Sequence, residues 1–299
     1  MTTFQTDHLH TFAAVVDAGT FDAAAATLRV TASAVSQRIK AMEQAAGQVL
    51  LQRTTPVQTT QAGTIVLKLA RQLRQLEQDT AVELGRSGNA GHGAPLPIVV
   101  NADSLATWFV DALAAVPPEL GLTFEVLRED EQHSAALLRS GAAMAAVTAT
   151  PDPVQGCAVV PLGAMRYRAV ASPGFMRQWF PDGFDAGRFG AAPAIQFDRT
   201  DTLQTTFFQD AVGAPLAGPQ HFIPDTLQFA RAILLGMGWG LMPEAHCGAD
   251  IRAGYLLELA PGSPTDIPLF WQRWKIQSPA LDGLTDAVRA TAAAALRQG

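Results

Sequence analysis

Apolar positions in the first thirty residues recur at helical spacing. In DHLHTFAAVVDAGTFDAAAATLRV, Leu9, Phe12, Val15 and Val16 share one face. Gly19 ends that run, and Thr20 is placed to cap a short Ala-rich helix from Phe21 to Leu28. After a turn of about three residues comes TASAVSQRIKAMEQAAG, residues 31–47, which opens on Thr31 or Ser33 and stops at a glycine. Ala34, Val35, Ile39 and Met42 make its packed face. Ser33, Ser36, Gln37, Arg38 and Lys40 are left outside. Two helices, a tight turn and a third helix describe a helix-turn-helix, and the small side chains Ala23 to Ala26 suit close helix crossing.

Next, LLQRTTPVQTTQAG (50–63) offers two short extended pieces around Thr55-Pro56, the pattern of a hairpin or wing. A long helix follows. Its apolar positions Ala62, Val66, Leu69, Leu73 and Leu76 step by 4, 3, 4 and 3, a coiled-coil seam that weakens at Thr80 and Glu83. GRSGNAGHGAPLP (85–97) reads as a linker. Beyond it, strand and helix patterns alternate: PIVV, SLATWFVDALAAV, LTFEVL, SAALLRSG and MAAVTA, then AIQFD, TLQTTFFQDAV, TLQFARAILLGMGWGLMP and PLFWQRWK, with a final helix from about Ala280. Such alternation predicts α/β architecture with mostly parallel sheets. The divisions expected are a helical N-terminal domain at 1–62, a long helix at 63–86, a hinge at 87–97 and an α/β domain at 98–299.

Charge changes the picture. The chain of 299 residues has a formal net charge of −6. Yet residues 31–75 hold six basic side chains (Arg38, Lys40, Arg53, Lys68, Arg71, Arg74) against one acid, Glu43, whereas residues 87–299 hold 13 basic and 20 acidic. A locally basic stretch on an acidic body suggests one surface for a polyanion and another for something else. Two cysteines, Cys157 and Cys247, are too few for a disulfide framework and read as buried thiols. No basic segment precedes a long apolar run at the start, and no stretch approaches the roughly 20 apolar residues of a membrane span. A cytoplasmic protein without membrane contact is expected.

The segment FAAVVDAGTFDAAAATLRVTASAVSQRIKAMEQAAGQVLLQRTTPVQTTQAG resembles the winged helix-turn-helix of LysR-type transcriptional regulators. The long helix, linker and two-lobed remainder repeat that family's layout over the whole chain. TASAVSQRIKAME, VVNADSLATWF, REDEQHS and DIPLFWQRWK resemble more narrowly the ArgP/LysG branch, which senses basic amino acids and controls their export. The resemblance implies an α/β fold: an N-terminal winged helix-turn-helix, a long linker helix and a two-lobed effector domain like a periplasmic binding protein. Lobe I would cover about 98–165 and 268–299, lobe II about 166–267. It also implies a regulator rather than an enzyme, with no cofactor. Its partners would be double-stranded operator DNA, a small effector such as lysine or arginine, RNA polymerase, and further copies in a homodimer or homotetramer.

Residue by residue, Thr31, Ser33 and Ser36 would let the third helix approach DNA, Gln37 would read an adenine, and Arg38 and Lys40 would reach phosphate or guanine. Arg53 would make the wing contact. The wing departs from the common family pattern at Thr55, Gln58 and Thr59, which predicts a modest salt dependence per monomer. Val66, Leu69, Leu73 and Leu76 would pair two chains. In the effector cleft, Asn101, Asp103 and Ser104 lie between a strand and a helix start, where Ser104 and backbone donors suit a carboxylate. Asp103 would cap the helix or hold an α-ammonium. Glu129, Asp130, Asp198 and Asp201 would meet a cationic side chain, and Thr148 would donate or accept. A solute-binding protein or an enzyme built on the α/β region are the alternatives, but no GxSxG, P-loop, strand-linked GxGxxG or HExxH occurs. GMGWG (236–240) follows a helix and reads as a helix-to-strand turn.

Overall fold

The computed structural model describes residues 4–84, 95–129, 131–183 and 185–298. Most of the expected hinge at 87–97, and Asp130 entirely, lie outside the described residues.

The N-terminal domain follows from its caps and its apolar stripes. Helices α1 (Thr6–Ala18), α2 (Phe21–Leu28) and α3 (Ala32–Ala46) are separated by the breaks the pattern predicts. Gly19 takes the left-handed conformation (φ 71°) that releases α1. Thr20 accepts from the Ala23 amide at 3.2 Å, and Thr31 from the Ala34 amide at 3.1 Å, satisfying donors that a helix start leaves bare. A hairpin of β1 (Leu51–Gln52) and β2 (Gln58–Thr59) forms the wing. Helix α4 (Gln61–Glu83) then runs out of the domain, capped by Thr60 on the Gly63 amide. The core gathers Phe12, Val15, Val35, Ile39, Met42 and Leu50 against Val66, Leu67 and Ala70 of α4. Glu43, the one acid of the basic stretch, accepts from the Leu50 and Leu51 amides (2.9 and 3.3 Å) and so ties α3 to the wing.

The second domain begins at β3 (Leu96–Val100), two residues before the expected boundary. Its first half adds α5 (Ala102–Ser104), a π-helical stretch Leu105–Phe109, α6 (Val110–Ala114), β4 (Phe124–Arg128), α7 (Glu131–Ser140) and β5 (Ala145–Thr148). The chain crosses on the long strand β6 (Cys157–Ala171). The second half holds α8 (Pro173–Trp179), α9 (Ala186–Ala191), β7 (Ala194–Gln196), α10 (Leu203–Val212), β8 (Gln220–Phe222), α11 (Thr226–Leu234), β9 (Gly240–Pro243), α12 (Glu244–Ala253) and β10 (Leu257–Glu258). The return is β11 (Thr265–Trp274), and α13 (Pro279–Ala295) packs back on the first half against α6.

The sheets are mixed rather than mostly parallel. Strands β3–β4, β3–β5 and β7–β8 pair in parallel, but β6 and β11, and every strand that joins them, pair antiparallel. The reason is the path of the chain. It crosses between lobes once outward on β6 and once back on β11, so the two crossing strands run in opposite senses. Their ladder breaks register between Leu269 and Phe270, opposite Leu162. The chain end is stitched over that break: Arg297 exchanges two 2.9 Å backbone bonds with Ala164, and the Gln298 amide donates to the Leu162 carbonyl at 3.2 Å. The Arg297 side chain continues to Glu244, at the start of α12, at 2.8 Å. GMGWG is the expected turn: it leaves α11 and enters β9. Both cysteines are buried and free.

Candidate functional site

The outer face of α3 is built by subtraction. Val35, Ile39 and Met42 are drawn into the domain, which leaves Thr31, Ser33, Ser36, Gln37 and Lys40 exposed. Arg38 does not join them fully. Position 38 borders the buried stripe, so its guanidinium turns back and donates to the Thr11 hydroxyl at 2.9 Å. It pins α3 to α1, a role the sequence did not indicate. Arg53 is exposed on the wing, with its guanidinium 5.7 Å from the Phe21 ring centre. Arg29 escaped the sequence reading. It is exposed at the turn before α3, with a positive φ of 55°. Arg71 and Arg74 add less positive surface than their number suggests, because both pair with Asp17 of α1. The face combines short side chains, one bidentate amide and flanking cations on a helix that protrudes beside a wing. That is the chemistry of a major-groove reader.

On α4 the expected seam divides. Val66 is buried in its own domain, and Leu73 packs against the same core. Leu69 and Leu76 are 46% and 39% exposed, with Ile65 beside them at 70%. The apolar stripe free to meet another chain is therefore Ile65, Leu69 and Leu76. Val66 faces inward because α4 spends its first turns closing the winged domain.

Between the two halves of the second domain lies a cleft of about 1270 Å³. Asn101, Asp103, Glu129, Thr148, Asp198 and Asp201 all reach its wall, so the fold gathers six of the predicted residues from four separate segments. Ser104 does not line it. That side chain is fully buried, its hydroxyl meets no partner, and its amide is taken by Asn101 Oδ1 at 2.7 Å. Ser104 is displaced because the helix that starts at Ala102 turns it toward the core. Asn101 is the cap of that helix.

The four described acids differ in what they leave available. Asp103 stands at the centre. Tyr167 of β6 donates its hydroxyl to one oxygen at 2.8 Å, and Thr226, the first residue of α11, lies 3.5 Å from the other. Burial pushes the Asp103 carboxyl up from its ordinary value, and the Tyr167 bond and the nearby His246 oppose that shift. The Tyr167 phenol is itself pushed well up by burial and by facing this carboxylate. Asp198 is a loop-former: one oxygen accepts from the Thr200 amide, the Thr200 hydroxyl and the Asp201 amide, and these bonds hold its carboxyl below the usual range. Asp201 likewise spends its oxygens on the Leu203 and Phe197 amides, while burial raises its carboxyl. Glu129 is exposed at the rim. Thr148 is held by a buried amide, Gln272, at 3.2 Å.

Sequence reasoning missed Tyr167, Thr226, His246, Arg128 and Asp210, all of which line the cleft. Tyr167 sits mid-strand, and Thr226, Asp210 and His246 sit on helices with no motif around them, while Arg128 opens the REDEQHS stretch, in which the acids drew the assignment. Arg128 lies with its guanidinium 5.9 Å from the Phe197 ring centre and is the one Lys or Arg among the lining residues, against five carboxylates. Such a cleft favours a cationic guest. Among the described residues, no group of three or more His, Cys, Asp or Glu could hold a metal ion, and no helix is long and apolar enough to cross a membrane.

Comparison with known proteins identifies the family of both domains. The pattern of the bacterial regulatory helix-turn-helix protein, lysR family, matches residues 6–64, and that of the LysR substrate binding domain matches residues 100–293. The chain is 44% identical to the HTH-type transcriptional regulator LysG of Mycobacterium tuberculosis, over 97% of this chain and 94% of that one. It is 38% identical to the lysine export transcriptional regulatory protein LysG of Corynebacterium glutamicum, over 97% and 98%. Among solved structures it is similar to full-length LysG from Corynebacterium glutamicum with bound effector Arg, with a TM-score of 0.82, 37% identity, and 99% and 100% of the two chains covered.

Proposed function

Because the chain belongs to the LysR family of bacterial transcriptional regulators, and within it to the LysG/ArgP type, we propose that its effector is a basic amino acid, lysine or arginine, bound in the cleft around Asp103. One observation carries the proposal: five carboxylates and a single arginine line the cleft, and the most enclosed of the free acids, Asp103, is reached by hydroxyls from β6 and α11. An α-ammonium or side-chain cation beside Asp103 would replace the solvation that burial denies it. Glu129 and Asp210 stand toward the opening for the other positive group. The name of one relative, a lysine export regulator, and the arginine bound in another's structure support the same ligand class.

On this reading the regulated gene encodes an amino acid exporter, and the protein acts in the cytoplasm on operator DNA, in concert with RNA polymerase. Thr31, Ser33, Ser36, Gln37, Lys40 and Arg53 form the reading head. Arg38 supports it from behind. Two chains pair along Ile65, Leu69 and Leu76, and two such pairs make a tetramer, which doubles the half-sites held at once. Calorimetry of the protein with lysine, arginine and histidine, followed by gel shifts on the DNA upstream of a neighbouring exporter gene with and without the binder, tests the reading. Micromolar to millimolar binding of lysine or arginine, together with a changed shift, supports it. No heat with either amino acid removes the effector assignment and leaves the regulator.

A further inference from the structure

The contact between the linker helix and the effector domain is small and oddly specific. Lys68 of α4 donates to the backbone carbonyl of Gln155 at 2.8 Å. Its backbone and side chain lie against two glycines. A Cβ on Gly141 would come within 3.1 Å of Lys68 Cα, and one on Gly156 within 2.9 Å of Lys68 Nζ. A side chain at Gly141 would crowd both Trp274 (2.9 Å) and the backbone of α4, and one at Gly156 would displace the Lys68 ammonium from its place. Gly141 follows α7 directly, and α4 packs on α7.

Both parts of the seat lead to the cleft. The loop that carries Gln155 begins at Thr148 and Ala149, which line the cleft wall. A single buried amide, Gln272 on β11, organises the whole loop. Its Nε2 donates to the Thr148 hydroxyl at 3.2 Å and to the Asp152 carbonyl at 3.0 Å, and its Oε1 accepts from the Val154 amide at 3.0 Å. With both ends of its amide used, Gln272 leaves the loop little freedom to move in parts: displacing Thr148 displaces Gln155. The other half of the seat is reached along α7, which has His133 and Ser134 at the cleft and Gly141 just past its last turn. The last turn of α7 is fixed to β11 by Trp274, which donates to the Leu138 carbonyl at 3.3 Å. A ligand that touches Thr148, Ala149 or the start of α7 thus acts on rigid pieces whose far ends hold Lys68.

We propose that Lys68 is the positioning residue through which occupancy of the cleft reaches the DNA-reading domain. Its ammonium reads the position of the Gln155 carbonyl, and α4 conveys that position to the winged domain whose core it completes. The proposal rests on the basic amino acid reading above for the ligand used to probe it, but not for the contact itself. Coupling between two sites must be reciprocal: if the ligand alters DNA affinity, DNA alters ligand affinity by the same factor.

The test measures that factor. Full-length wild type, K68M and K68R are titrated with L-arginine and with L-lysine, free and saturated with operator DNA. Methionine keeps the aliphatic stem and removes the donors, and arginine restores a donor. For wild type the two affinities should differ by roughly fivefold or more. For K68M the ratio should fall to within about twofold of unity while the affinity of the free protein stays within about twofold of wild type. K68R should recover most of the ratio, which a general loss of packing would not. A K68M ratio equal to that of wild type overturns the proposal, and so does a wild-type ratio of one. If wild type binds neither amino acid, the effector reading has failed separately. The contact is then judged by DNase footprints without ligand: K68M should protect a different length of the operator from wild type, and identical footprints overturn it.

Discussion

Replacing Asp103 by Asn separates binding from folding in the cleft. The two side chains have one shape. Asn keeps an oxygen to accept from Tyr167, now at 2.8 Å, and turns its amide toward the Thr226 hydroxyl, which can accept. Only the charge is lost. Burial raises the Asp103 carboxyl in the folded protein. A group whose folded value lies above its unfolded value contributes stability that is fully present below the unfolded value and is lost as pH rises through the folded one. At neutral pH ionised Asp103 is therefore a cost to the fold, and the D103N midpoint of thermal unfolding should equal or exceed that of wild type. Ligand binding should move the other way. A charge-assisted contact is worth about 1.5–3 kcal/mol, roughly ten- to 150-fold in Kd. Calorimetry with L-arginine and L-lysine at neutral pH should show that loss. In wild type the affinity should also fall as the solution is acidified through the raised Asp103 value, because a protonated carboxyl cannot pair with a cation. D103N should lack this dependence. Unchanged affinity in D103N refutes the assignment, and a lowered midpoint accompanying lost binding would make Asp103 a structural residue instead.

The winged domain and its linker helix supply four more expectations. Thr11→Val deletes the acceptor of Arg38 and should cost about 1 kcal/mol of stability; a double-mutant cycle with Arg38→Met should show coupling, and additive effects would return Arg38 to the outer face. Gln37→Ala should lose about 1–3 kcal/mol of discrimination at one operator position with little effect on non-specific DNA, measured by competition gel shifts across single-base variants. Leu69→Asp, on the exposed stripe of α4, should abolish oligomers in sedimentation while changing the stability of the domain by under about 0.5 kcal/mol. Val66→Ala, by contrast, should cost roughly 2 kcal/mol of domain stability through the cavity it leaves. If Val66→Ala disrupts oligomers and Leu69→Asp does not, the pairing face is wrongly placed.

The winged domain was legible because its determinants are local. Threonine caps, Gly19 and a helical period each act within a few residues, so α1 to α4 fell where the pattern put them. The chemical class of the cleft was legible too, since acids clustered at strand ends in VVNADS, REDEQHS and FDRTD. What each acid does was not. Asp198 and Asp201 look like Asp103 in sequence, yet they spend oxygens on amides that the folded loop brings to them, while Asp103 meets Tyr167 and Thr226, 64 and 123 residues away. Val66 and Leu69 look equivalent in a heptad. Only the core of the winged domain, by claiming the first and leaving the second, distinguishes them. Arg38 shows the same limit: a cation beside a buried stripe can face outward or fold back, and a hydroxyl from another helix decided for folding back. A sequence determines which groups a chain possesses and which short-range structures they favour. Which of those groups remain free depends on partners brought from far along the chain, and that is settled only when the core closes.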